Sequence, residues 1–115
     1  MTIYFYDYQD AVGFNPEKFF KTTLVQSERL MLGLNCLEPG QVQKIHDHAD
    51  QDKFYFVLEG EGFFTVGEEE KTASSGMLVW APAGVPHGVA NQSTQKLVIL
   101  MGIAPAPQKG GFFLG

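Results

Sequence analysis

Three residues that break regular helices, Pro82, Gly84 and Pro86, fall within five positions immediately before a histidine, His87. Proline fixes φ and removes a backbone donor, so this segment has few alternative shapes and is predicted to be a rigid extended corner that holds the imidazole in place. The same punctuation recurs along the chain. Its 13 glycines and 6 prolines are dispersed, with short apolar and β-branched runs between them. That pattern suits many tight turns between strands, and it predicts an all-β chain.

The second constraint is the stretch 40–60, GQVQKIHDHADQDKFYFVLEG, which places His46 and His48 two apart before an apolar run. Residues two apart on a strand share a face, here about 7 Å apart along the backbone. Both imidazoles could then converge on one ion. Two surface histidines would satisfy the spacing equally well, but His87, the chain's only other histidine, offers a third nitrogen from a fixed corner.

These residues carry a family resemblance. Gly40, five residues, His46-x-His48 and the run closing at Gly60 resemble the first cupin motif. Gly76, five residues, Pro82-x-Gly84, two residues, His87, three residues and Asn91 match the second cupin motif at every fixed position. The resemblance implies a double-stranded β-helix, the jelly-roll barrel of the cupins. It is expected as one domain over residues 1–115, with the motif core at 40–91 and the N-terminal strand and C-terminal tail as additions. It also implies a divalent transition metal in the mouth of the barrel, bound by His46, His48 and His87. Three neutral imidazoles suit Zn, Fe, Ni, Mn or Cu alike.

One motif position departs from the pattern. Lys53 stands where the family has an acidic fourth ligand, and a cation repels a metal. Gln51 returns to the same face two residues earlier and could offer a neutral carbonyl oxygen instead. Because the family's acid points at the metal, residues 53, 55, 57 and 59 are expected to face inward, with Phe54, Phe56 and Leu58 on the other side. That parity is opposite to His46 and His48, so the strand must break around 49–52. Lys53 has two readings: a lysine at the strand's start that snorkels to solvent or pairs with Asp50 or Asp52, or an inward anion anchor or acid-base group. The second makes it the candidate catalytic residue.

In chain order, residues 2–8 are rich in β-branched and aromatic side chains and predict a first strand, on a sheet edge or on a partner subunit. Asn15-Pro16-Glu17 could open a helical turn. Phe19 and Phe20 read as core. Residues 22–28 and 29–37 predict two strands, and 38–41 a type II turn with Gly40 at positive φ. Residues 54–58 read as a central strand, 59–62 as a hairpin turn into 63–66, and 67–70 as a solvated turn. Asn91 is expected to hydrogen-bond backbone, and 96–103 to form the last strand. Phe112 and Phe113 in the tail need somewhere to pack.

A net charge of -5 and the lack of a Lys/Arg cluster interleaved with aromatics make nucleic acid an unexpected partner. Apolar runs such as 97–101 fall far short of the ~20 residues that span a bilayer, and the N-terminus does not resemble a signal peptide, so no membrane association and a cytoplasmic location are expected. Cys36, the only cysteine, reads as a buried thiol. The aromatic N-terminus and the segment Phe112-Phe113-Leu114 exceed what a minimal barrel needs, which predicts a homodimer. Two function classes follow from the resemblance. One is a metal-dependent enzyme (oxygenase, isomerase or decarboxylase) acting on a small, oxygen-rich and anionic organic molecule. The other is a non-catalytic ligand-binding or regulatory cupin, with or without metal.

Overall fold

Short alternating segments cannot bury an apolar face alone, and this chain solves the problem by facing two sheets against each other. The computed structural model describes residues 2–107. Its strands are β1 (Phe20–Gln26), β2 (Met31–Leu37), β3 (Val42–His46), β4 (Asp52–Glu59), β5 (Glu61–Val66), β6 (Glu69–Ser74), β7 (Leu78–Ala81), β8 (His87–Ala90) and β9 (Leu97–Ala104). They form a five-stranded sheet in the order β1-β2-β9-β4-β7 and a four-stranded sheet in the order β3-β8-β5-β6. All pairings are antiparallel. From β2 onward the chain repeatedly crosses from one sheet to the other, which makes the sandwich a double-stranded β-helix.

Strand parity decides which side chains meet in the middle. In β4, Lys53, Tyr55 and Val57 are buried while Phe54, Phe56 and Leu58 are half-buried, so the inward face is the predicted one. The inner core comprises Tyr55, Val57, Phe64, Leu97, Ile99, Met101 and their neighbours from both sheets. Each such fully buried side chain contributes about 1.5–3 kcal/mol. A second cluster, Leu34, Cys36 and Val98, lies on the outer face of the larger sheet, where Tyr8, Ala11, Val12 and Phe14 cover it. This explains why β2 and β9 are apolar on both faces. Phe19, just before β1, packs on the inner cluster, and Phe20, its first residue, on the outer one.

Several expectations need correcting. Residues 2–7 form no strand in this chain, and Tyr8–Ala11 is a 3-10 turn capped by the Asp7 side chain. The apolar residues there that look strand-forming, Ile3, Tyr4, Phe5 and Tyr6, pair with no strand among the described residues and are exposed. No helical turn forms at Asn15, although its side chain does accept a hydrogen bond from the Glu17 N-H (2.9 Å). The segment 59–62 is not a hairpin turn. β4 and β5 belong to different sheets, and Gly60 (φ 82°) is the crossing point, where a Cβ would overlap the Lys96 carbonyl oxygen. A register shift between Val57 and Glu59 turns Glu59 outward, where it accepts a hydrogen bond from Tyr8 Oη (2.7 Å). The sequence pattern cannot register such a bulge, because the period of two is broken only in the partner pairing. Phe112, Phe113 and Leu114 lie outside the described residues.

Candidate metal centre

The three histidines come together through a bulge. β3 pairs with β8 as Val42↔Ala90 and Gln43↔Val89, and then skips to His46↔His87. Lys44 and Ile45 thus lie opposite the single residue Gly88, whose missing Cβ leaves room for the bulged backbone. A Cβ there would sit 2.9 Å from the Gln43 carbonyl oxygen and 3.0 Å from the Ile45 nitrogen. The extra residue lets Gln43 and His46, three apart, both face inward. His46 and His87 become a cross-strand pair with ring centroids 4.6 Å apart.

His48 lies just beyond the end of β3, in the predicted break between the two parities. The proline corner fixes it: the Gly84 N-H donates to the His48 carbonyl (2.9 Å). That corner is itself a turn closed by Val85 N-H on the Pro82 carbonyl (3.1 Å), with Gly84 at φ 79°. The Ala83 N-H donates to the Asp52 carboxylate (2.9 Å), and the Gly67 N-H to the Pro86 carbonyl (2.8 Å). The two motifs therefore hold each other, one through its backbone and the other through its turn.

The ring nitrogens are sorted by their partners. Nδ1 of His46 faces the Lys44 carbonyl at 2.8 Å, and Nδ1 of His87 faces the Val85 carbonyl at 2.9 Å. A carbonyl only accepts, so each Nδ1 carries the proton and each Nε2 is left with a lone pair. Nε2 of His46, His48 and His87 are all buried without a hydrogen-bond partner. Buried polar atoms are rarely left so, and three together describe a donor set for a cation. One ligand atom from each ring lies within 4.8 Å of the others. A shared ion at about 2.0–2.1 Å in tetrahedral geometry holds its donors about 3.3–3.4 Å apart, so the rings must close by up to about 1.5 Å on binding.

Burial also sets the charge state. It pulls the imidazoles of His48 and His87 down to about 4, with the Lys53 cation and the neighbouring histidines adding to the effect. His46 is lowered for the same leading reason. All three rings are neutral at pH 7, the form that binds metal.

Lys53 does not snorkel: it is 1% exposed. Its Nζ lies 4.8 Å from the centroid of the Tyr55 ring, while Asp52 is engaged with Ala83 on the other side. Burial, with a smaller push from Lys21, lowers its pKa to about 7. Gln51 donates its side-chain amide to the Pro105 carbonyl (2.9 Å), which leaves its Oε1 as the atom with ligand chemistry. Asn91 is 1% exposed and donates to the carbonyls of Leu37 (3.0 Å) and Gln95 (2.8 Å), closing the motif through backbone as expected. Cys36 is a buried thiol on the outer face of the larger sheet.

Two site residues escaped the sequence reading. Tyr55 donates from its hydroxyl to Gln43 Oε1 (2.8 Å), and its ring centroid is 6.0 Å from that of His87. The inward parity of position 55 pointed to Tyr55. Nothing pointed to Gln43, because only the bulge brings it to the inner face.

A family model for the cupin domain matches residues 33–103, more than half of the chain. Among solved structures, TT1209 from Thermus thermophilus is similar at 46% identity and a TM-score of 0.87, over 90% of this chain and 98% of that one. An RmlC-like cupin protein from Desulfovibrio desulfuricans is similar at 28% identity and a TM-score of 0.78, over 90% and 98% of the two chains. The uncharacterized protein SCO3923 of Streptomyces coelicolor is 36% identical over 63 residues, 55% of this chain and 59% of that protein. The uncharacterized protein MJ1618 of Methanocaldococcus jannaschii is 30% identical over 49% of its own length, so the match spans about half of these two curated relatives.

Proposed function

The chain belongs to the cupin family, and from that premise we propose that it is a metal-centred cupin that binds a small, oxygen-rich anionic molecule in the mouth of its barrel. His46, His48 and His87 are the metal-holding residues in this reading, and Lys53 is the anion anchor. The observation that carries it is the set of three buried Nε2 atoms without hydrogen-bond partners, converging from two motifs. When bound, the ion supplies a Lewis-acid centre that polarises an oxygen donor of the ligand.

The chain's own residues supply the rest. The Lys44 and Val85 carbonyls orient two of the rings, and the Tyr55–Gln43 pair packs beneath them. Three imidazoles bring no negative charge, and Lys53 replaces the one carboxylate the motif would add. An anion on the ligand is then what neutralises the pocket, since like charges sharing a low-dielectric site are costly. Carboxylates and enediol-like oxygen donors fit that requirement. Gln51 is the proposed fourth ligand through Oε1, with water or ligand in any remaining position.

The substitution of lysine for the acidic ligand also favours a second reading, in which the cupin binds its ligand without turning it over. A homodimer is part of the proposal, supported by four apolar side chains of the N-terminal arm, Ile3, Tyr4, Phe5 and Tyr6, which stand 48–92% exposed.

Elemental analysis after reconstitution tests the centre. Wild type is expected to hold close to one divalent transition metal per chain, and His46→Ala or His87→Ala to hold far less. Substoichiometric metal that does not rise on reconstitution, with the variants binding as well as wild type, would sink the reading.

A further inference from the structure

We propose that the cleft beside His46 is an anion-recognition site, which holds the carboxylate or phosphate of an organic molecule among Lys18, Lys21 and Lys44 and its apolar body against Phe19 and Phe20. The cleft has a volume of about 570 Å³ and is lined by those five residues together with His46. It therefore opens on one member of the histidine cluster. A ligand seated in it lies with one end at the lysines and the other at the centre.

The charge distribution is what singles this cleft out. The chain carries 8 basic residues against 13 acidic ones, yet three of the 8 line this one cleft. No acidic side chain is among the described residues that line it. Burial is the main cause that lowers Lys21 and Lys53, and the charge of Lys18 adds to the first and that of Lys21 to the second. Concentrating like charges in an otherwise acidic chain costs energy in the empty protein, and an anion relieves that cost.

The walls are built rather than accidental. Lys21 follows Phe19 by two residues and so shares its face, the side on which Phe19 meets the inner core. Lys44 is one of the two bulged residues of β3 opposite Gly88. Lys18 lies in the bend after Asn15, whose side chain accepts from the Glu17 N-H (2.9 Å). Gln41 pins that bend from below: its Nε2 donates to the Asn15 carbonyl (2.7 Å), and its Oε1 accepts from the Glu38 N-H (2.9 Å). Gln41, whose N-H closes the 38–41 turn on the Glu38 carbonyl (3.1 Å), thereby fixes where the Lys18 end of the cleft sits. Phe19 and Phe20 give the cleft an apolar wall, which a small inorganic anion would leave uncovered. The class that fits is an aryl or alkenyl carboxylate or phosphate, large enough to reach His46 from the lysines.

The inference rests on the metal-centred reading only for the ligand's far end, because the lysines attract an anion whether or not the histidines hold a metal. The test is calorimetric titration of isophthalate and of phenyl phosphate into metal-loaded and metal-stripped protein, with benzamide as the neutral control. Lys18→Gln, Lys21→Gln and Lys44→Gln change exposed side chains and leave the core intact. Each is expected to weaken binding by roughly five- to tenfold, the triple variant to abolish it, and added salt to weaken wild type. The two ligands separate carboxylate from phosphate preference. Lysine-dependent binding that persists in the stripped protein supports the cleft even if the metal reading fails. Equal affinity in wild type and triple variant, binding of benzamide as tight as that of isophthalate, or no binding of either anion by either form overturns it.

Discussion

Replacing Lys53 with methionine is expected to stabilise the metal-free protein at neutral pH. The side chain is 1% exposed, and burial brings its pKa from 10.5 to about 7. Above pH 10.5 the lysine is neutral in both folded and unfolded chains and has no linkage effect. As pH falls from 10.5 to 7 the unfolded chain takes up a proton that the folded one resists, so stability drops, and below 7 the loss is complete. At about 1.4 kcal/mol per pH unit, the full penalty across that window approaches 5 kcal/mol, a large share of the stability of a domain this size. Methionine keeps the length and the packing and carries no charge to desolvate. Urea denaturation of stripped wild type and Lys53→Met at pH 7, 8, 9 and 10 measures the difference directly. The variant's advantage should be several kcal/mol at pH 7 and shrink by roughly 1 kcal/mol or more for each unit of rising pH. Reconstituted Lys53→Met should still hold its metal but lose most of its carboxylate affinity. A difference that does not change with pH, or a variant less stable than wild type at pH 7, would refute the reasoning.

Asn91→Ala removes a buried side chain that donates to two backbone carbonyls and accepts from the Ser93 N-H and hydroxyl. It should cost about 2–4 kcal/mol in urea denaturation, because the Leu37 carbonyl loses its donor in the interior. The stripped protein should also lose stability as pH falls from 6.5 to 4, since the unfolded chain protonates His48 and His87 in that range while the folded one holds them neutral. A urea midpoint that is flat across that window would contradict the burial of these rings. Sedimentation should give a dimer, and truncation of residues 1–6 should shift it to monomer; a monomeric wild type at all concentrations removes the arm's proposed role.

Much of this was legible in the sequence because it depends on local chemistry. The proline corner at 82–86 constrains φ by itself, the inward parity of Lys53, Tyr55 and Val57 follows from the pleat, and the break before β4 follows from two incompatible parities. What was hidden depends on partners distant in the chain. The bulge opposite Gly88 that turns Gln43 inward, and the register shift that turns Glu59 out, are properties of a pairing and not of either strand. The apparent hairpin at 59–62 misled for the same reason, since glycines at a turn do not reveal which sheet the next strand joins. The N-terminal segment misled differently. Its β-forming residues have the right propensity, but propensity alone does not bring a segment into a ladder, and these residues lie beside Thr23 and Leu24 of the edge strand β1 without pairing to it.

The central claim is that three imidazoles from two motifs hold one metal ion, and X-ray absorption spectroscopy of the reconstituted protein tests it most directly. Three nitrogen donors at about 2.0–2.1 Å are expected around the ion if it is zinc, with imidazole outer-shell scattering that weakens in His87→Ala. A shell of oxygens alone, or a spectrum unchanged by that substitution, would contradict it.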